Sequence, residues 1–130
     1  MSERQKISSG TPWEAKVGYS RAVRVGKQVF VAGTTASDEG GKVMGTDVYT
    51  QTKYILEKIE RALEQAGASM SDVVRTRSFI TDISQWEDFG RAHGEFFHEI
   101  RPVSTLVEIS KLVDPAHLIE IEVDAVISDA

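Results

Sequence analysis

The sequence predicts an α+β fold with two helices packed on one face of a mixed sheet. Three observations support it. Strand-like and helix-like periods follow one another in the order β-β-α-β-α-β-β. Two stretches, opening at Asp47 and at Ser84, repeat apolar residues at spacings of three and four. The strand-like stretches of the second half alternate apolar with charged residues, which gives the sheet one covered and one uncovered face.

Taken along the chain, Ser8, Ser9, Gly10, Thr11 and Pro12 disfavour regular structure, so residues 1–16 are expected to form a loose N-terminal arm. Trp13 would pin that arm to the body or to a neighbouring subunit. Tyr19 to Val25 reads as a strand, Gly26-Lys27 as a two-residue turn with glycine first, and Gln28 to Gly33 as the return strand. Asp38 to Lys42 is a polar loop. From Asp47, the residues Val48, Ile55, Leu56, Ile59, Ala62, Leu63 and Ala66 share a helix face that ends at Gly67, a C-terminal glycine. Asp72 to Thr81 is β-like. The second helix opens with Ser84 and Glu87 at capping-box spacing, and its apolar positions are Trp86, Phe89, Phe96, Phe97 and Ile100. Gly90 and Gly94, four apart, are expected to pack closely on the sheet, and Pro102 stops the helix. Val103 to Leu112 and Leu118 to Ile127 are the last strands, with a turn at Asp114-Pro115.

Alternation assigns Val74, Thr76, Ser78 and Ile80 to one face and Arg75, Arg77 and Phe79 to the other. Ile119, Ile121, Val123 and Ala125 likewise oppose Glu120, Glu122 and Asp124. The uncovered face thus mixes charges of both signs with Phe79 and Leu106, a composition that suits an interface between copies of the chain.

At 130 residues the chain is expected to be one domain. It has no cysteine, so disulfides, thiolate nucleophiles and cysteine-held metals are excluded. A net charge of −5 argues against a nucleic-acid partner. No apolar run is long enough for a membrane span and Met1 to Gly10 has no signal-peptide core, so a cytoplasmic location is expected. His93 and His98 are five apart and diverge by about 140° on a helix, which is not a zinc motif, and no metal is expected. His93 reads as a packed or surface histidine and His117 as a solvated one. Gly40-Gly41-Lys42 lacks the phosphate-loop pattern, and neither a nucleophile elbow nor a dinucleotide fingerprint is present.

The C-terminal third carries the most specific pattern: Arg101-Pro102-Val103-Ser104-Thr105-Leu106-Val107-Glu108-Ile109, then Ile119-Glu120-Ile121-Glu122-Val123. It resembles the signature of the RidA/YjgF family, the enamine/imine deaminases. Tyr19, Phe30-Val31-Ala32-Gly33, the helix from Thr52 to Gly67 and Asp72-Val73-Val74-Arg75-Thr76 extend the resemblance over nearly the whole chain. The resemblance implies a chorismate-mutase-like fold. It also implies a homotrimer with uncovered sheet faces meeting in the middle and ligand clefts between subunits. Arg75, Arg77, Glu108, Glu122 and Asp124 would then be interface ion pairs. The implied reaction is hydrolysis of 2-aminoacrylate-type enamines and imines to 2-keto acids and ammonia, with no metal or organic cofactor.

Carried over by position, Glu120 and Tyr19 would be catalytic. Gly33, Ser104, Leu106, Arg21 and Trp13 would bind the substrate, a small metabolite. The pattern departs from the family at several of these places. Ser104 stands where the family has the arginine that holds the substrate carboxylate, Leu106 replaces a residue that is often cysteine, Ala32 replaces a serine and Gly18 a proline. Three readings stay open. Arg21 or Arg101 restores the anchor; the pocket serves a different, uncharged molecule; or the chain is a non-catalytic ligand-binding or interaction protein on the same scaffold.

Overall fold

A computed structural model of the chain describes residues 4–128. Strands β1 (Arg4–Ile7), β2 (Ala22–Val25), β3 (Gln28–Thr34), β4 (Val73–Ile80), β5 (Val103–Glu108) and β6 (Ile119–Val126) form one sheet. Its order is β1-β2-β3-β6-β4-β5. Only β4 and β5 run parallel; the other neighbours are antiparallel, so the sheet is mixed. Helices α2 (Val48–Gln65) and α3 (Trp86–Phe97) lie on one face, as the apolar periods require, while the short α1 (Pro12–Val17) sits between β1 and β2 in sequence. Ile55, Leu56, Ile59 and Leu63 of α2 join Val29, Ile80, Ile119, Ile121 and Val123 in one buried core.

Local chemistry explains the boundaries. Asp47 accepts a bond from the Thr50 amide at 2.7 Å and so caps α2. Gly67, with φ of 84°, ends it; the Ala68 amide reaches back to the Leu63 carbonyl at 2.8 Å. Gly26, with φ of 61°, makes the tight turn between β2 and β3.

Several expectations are corrected. Residues 1–3 of the segment read as a loose arm lie outside the described residues, and the rest of it contains β1 and α1: β1 adds an edge strand to β2 and buries Ile7. Pro12 does not break structure there but occupies the first helical turn, where its fixed φ is favourable and its missing N–H costs nothing. Val74 is exposed, because the β4–β6 register slips between Val73 and Arg75, and the extra residue is turned out of the core. Leu106 and Glu108 are not on the uncovered face. Parallel pairing sets Ser104 beside Thr76 and Leu106 beside Ser78, both buried under the helices, and Glu108 accepts a bond from the Ile83 amide at 2.9 Å. Asp82, not Ser84, caps the turn before α3, accepting from the Ser84 amide at 3.0 Å. Gly90 and Gly94 have open space where a Cβ would stand, so they do not pack closely on the sheet. β5 stops at Glu108 rather than Leu112.

Gly67→Ala places a Cβ on a left-handed residue, 2.6 Å from the Arg24 guanidinium that bonds the Ala66 carbonyl. The expected loss of stability is about 1–2 kcal/mol, read as a lower urea midpoint with an unchanged m-value.

Candidate functional site

Alternation along β6 fixes the first element of the site. Ile119 and Ile121 are buried beneath the helices, so Glu120 projects to the uncovered face. Beside it, β3 bulges. Val31 pairs with Val123 but Thr34 with Ile121, so β3 carries one extra residue there. Gly33 lies in that bulge, and a Cβ on it would stand 2.9 Å from the Glu120 carboxyl carbon. Only glycine lets the carboxyl lie directly over the neighbouring strand. Burial pushes the Glu120 pKa up; the Arg21 charge opposes this and Glu122 reinforces it.

Arg21 immediately precedes β2 and donates to the Gly33 carbonyl at 2.6 Å. Tyr19 precedes the strand instead of belonging to it, yet its ring centroid lies 5.8 Å from the Arg21 guanidinium carbon. Tyr19, Arg21, Gly33 and Glu120 therefore converge. Arg21 Nε is buried without a hydrogen-bond partner, and so is Oε1 of Glu14. Glu14, on α1, escaped the sequence reading. Its other oxygen accepts from the amide and hydroxyl of Ser9. Burial raises its pKa, but the Ser9 bonds and the Arg21 charge outweigh that and hold the group below the ordinary carboxylate range. Trp13, on the same helix, is 57% exposed beside Lys16 and does not close over the cluster.

Ser104 and Leu106 are not brought to this cluster. They face the helix side of β5, two strands from β6, and Thr76 and Phe79 mark their offset along β4. Strand spacing and rise put the Ser104 and Glu120 backbones roughly 14 Å apart. Ser104 Oγ accepts from Thr76 Oγ1 at 3.0 Å, and Thr76 lies 3.0 Å from Nε2 of His93. His93 is flanked by the rings of Phe89 and Phe97, at 5.1 and 4.7 Å. Burial lowers its pKa to about 4. Arg101, with φ of 55° at the end of α3, turns its Nε back to the His98 carbonyl at 3.0 Å.

His117 is not solvated. It is 8% exposed and its Nε2 lies 2.7 Å from Ser37 Oγ. Lys58 is a second residue the sequence reading missed. It reaches the carbonyls of Thr35 and Ser37 at 2.8 and 2.7 Å, and burial, helped by Arg21 and Arg61, holds its pKa down to about 8. Its position between Ile55 and Ala62 on the apolar stripe of α2 was the available signal.

Three charges of the uncovered face pair within the chain. Arg77 lies 3.2 Å from Glu122 and 3.5 Å from Asp124. Phe30, Val103 and Val107 stay exposed among them. A hollow of about 400 Å³ lies between Phe30, Arg75, Val103 and Asp124, away from the Glu120 cluster. Among the described residues no three metal-ligating side chains converge, and no helix is long and apolar enough to cross a membrane.

Residues 10–127 match the family model described as Endoribonuclease L-PSP. A crystal structure from Mycobacterium tuberculosis, described as a member of the YjgF/YER057c/UK114 family, is 50% identical with a TM-score of 0.89, covering 96% of this chain and 100% of that one. An uncharacterized protein of Streptomyces coelicolor is 38% identical over 93% of this chain and 90% of its own length. The 3-aminoacrylate deaminase RutC of Acinetobacter baylyi is 33% identical over 88% of this chain and 90% of its own.

The His93 pKa predicts a pH dependence. Between pH 4 and 6.5 the unfolded chain binds the proton that folded His93 refuses, so stability rises with pH across that window and falls as pH drops through it. His93→Gln should flatten that part of the curve by at most about 1.4 kcal/mol per pH unit, seen as a converging difference in urea midpoints between the variant and the wild type toward pH 4.

Proposed function

The chain belongs to the RidA/YjgF family and has its chorismate-mutase-like α+β fold, and from that premise we propose that it hydrolyses small imines or enamines of 2-amino acids. The observation that carries the reading is the Glu120 carboxyl, raised in proton affinity, lying over Gly33 beside Arg21.

Imine hydrolysis asks for an anchored carboxylate and a placed proton. Arg21 spends one N–H on the Gly33 carbonyl and keeps others for a substrate carboxylate. Glu120 takes a proton from the water that attacks the imine carbon. It returns that proton to the nitrogen of the carbinolamine, the carbon–nitrogen bond breaks, the new hydroxyl gives up its proton to become the keto oxygen, and keto acid and ammonia leave. A carboxyl with a raised pKa suits that second transfer. Tyr19 flanks the guanidinium and shapes the cleft wall.

The functional unit in this reading is a homotrimer. Ser104 and Leu106 lie on the far side of the sheet from Glu120, so a cleft that uses both sets takes them from two subunits. Exposed Phe30, Val103 and Val107 among paired charges give the uncovered face the composition of such an interface. RNA cleavage, which the family description names, has less support. The net charge is −5, and neither His93 nor His117 is free to act as an acid–base pair on a basic surface.

Imines generated by an amino-acid oxidase, with semicarbazide as the competing trap, test the chemistry. Wild type should accelerate imine loss, and Arg21→Ala and Glu120→Gln should each cut kcat/KM by roughly tenfold to a hundredfold, the worth of a charged hydrogen bond. If wild type is silent while Ser104→Arg gains activity, the scaffold has been turned to another ligand; silence in all of them makes it a binding protein. Light scattering should give a particle of three times 14.4 kDa, and a monomer would remove the shared cleft.

A further inference from the structure

Ser104 stands where the family resemblance implies an arginine, yet it is not an ordinary exposed serine. It is the outer end of a hydrogen-bonded chain that begins inside the protein. Thr76 is fully buried, and its hydroxyl donates to Ser104 at 3.0 Å. A hydroxyl has a single proton to give. That proton is committed to Ser104, so Thr76 can only accept from His93, 3.0 Å away. Nε2 of His93 must therefore carry a hydrogen, and the neutral ring must be the Nε2–H tautomer. The two phenylalanine rings fix the plane of that imidazole. Each member then has one possible direction: His93 to Thr76, Thr76 to Ser104. Ser104 receives the last bond and keeps its own proton. It sits exposed on the edge strand β5, so that proton is available only to a group outside this chain's core.

We infer that Ser104 is a directional hydrogen-bond donor for one acceptor oxygen of the ligand, a carbonyl or carboxylate oxygen, with Thr76 and His93 as its positioning residues. The inference rests on the proposed cleft. It gives this position a neutral, single-point recognition: one oxygen is bound, and the charge of the ligand is left to Arg21. Buried bonds in series polarise one another, so Ser104 is a better donor than a lone surface hydroxyl.

Two measurements test it, and neither depends on turnover. The ¹⁵N shifts of the His93 ring report which nitrogen carries the hydrogen; the Nε2–H form is expected, and the Nδ1–H form overturns the chain's direction. Binding of 2-oxobutanoate, a product of the proposed reaction, reports the donor. Ser104→Ala and Thr76→Val should each weaken it by roughly three- to tenfold, the worth of a neutral hydrogen bond. The double variant should be no weaker than either single one, since both break one chain. Thr76→Ser keeps the hydroxyl and should bind like wild type, which guards against a Thr76→Val that merely loses its fold. Unchanged affinity in Ser104→Ala, or no binding by wild type, overturns the inference. Intact imine hydrolysis with unchanged affinities sinks this inference alone. Absent hydrolysis with the expected affinities sinks the enzyme reading and leaves the donor chain standing.

Discussion

The last strand of the chain holds the middle of the sheet. β6 pairs antiparallel with β3 on one side and β4 on the other, joining the N-terminal hairpin to the parallel pair β4–β5. Its strict alternation then decides what lies where. Ile119, Ile121, Val123 and Ala125 sink beneath α2 and α3, and Glu120, Glu122 and Asp124 are forced onto the opposite face. A slip of one residue would put three carboxylates into the core, at a cost far beyond the stability of a domain this size. Core and candidate site are therefore fixed by the same register.

The close approach of Glu120 to β3 follows from that register and from one missing side chain. The bulge near Gly33 shortens the pairing with β6, and the glycine leaves room for a carboxyl over the backbone. Crowding strips water from the carboxyl, which raises its proton affinity, and Arg21 keeps the shift in check. Arg21 is itself held by the Gly33 carbonyl. Backbone geometry at a single glycine thus orients both charged groups.

Where periodicity was long, the sequence was readable: α2 with its Asp47 cap and Gly67 stop, the Gly26 turn, and the faces of β6 all follow from spacing and from special φ angles. Short elements were not. Ser8 to Pro12 read as punctuation because each residue alone favours loops, yet Pro12 opens α1 and Gly10 merely turns the chain out of β1. Four residues of β1 carry one buried side chain, too little for a period. The face of Leu106 was misread because parallel pairing with β4 is a tertiary fact, and the Val74 bulge leaves no local mark. Within the site, Tyr19, Gly33, Glu120 and Arg21 could be named from the resemblance and strand position. Glu14, Lys58 and the bond of His93 to Thr76 depend on packing between distant segments.

The nearness of Arg21 to Glu120 has a consequence for acid–base chemistry. Arg21 is bonded to the Gly33 carbonyl, next to the carboxyl of Glu120. While no ligand neutralises it, the Arg21 charge draws the Glu120 pKa down against the pull of burial. A bound carboxylate neutralises that charge and displaces water from both groups. Each effect raises the proton affinity of Glu120. On the proposed reading, the anchor and the proton carrier are thus coupled: seating the substrate prepares the carboxyl to hold the proton it must later return to the departing nitrogen.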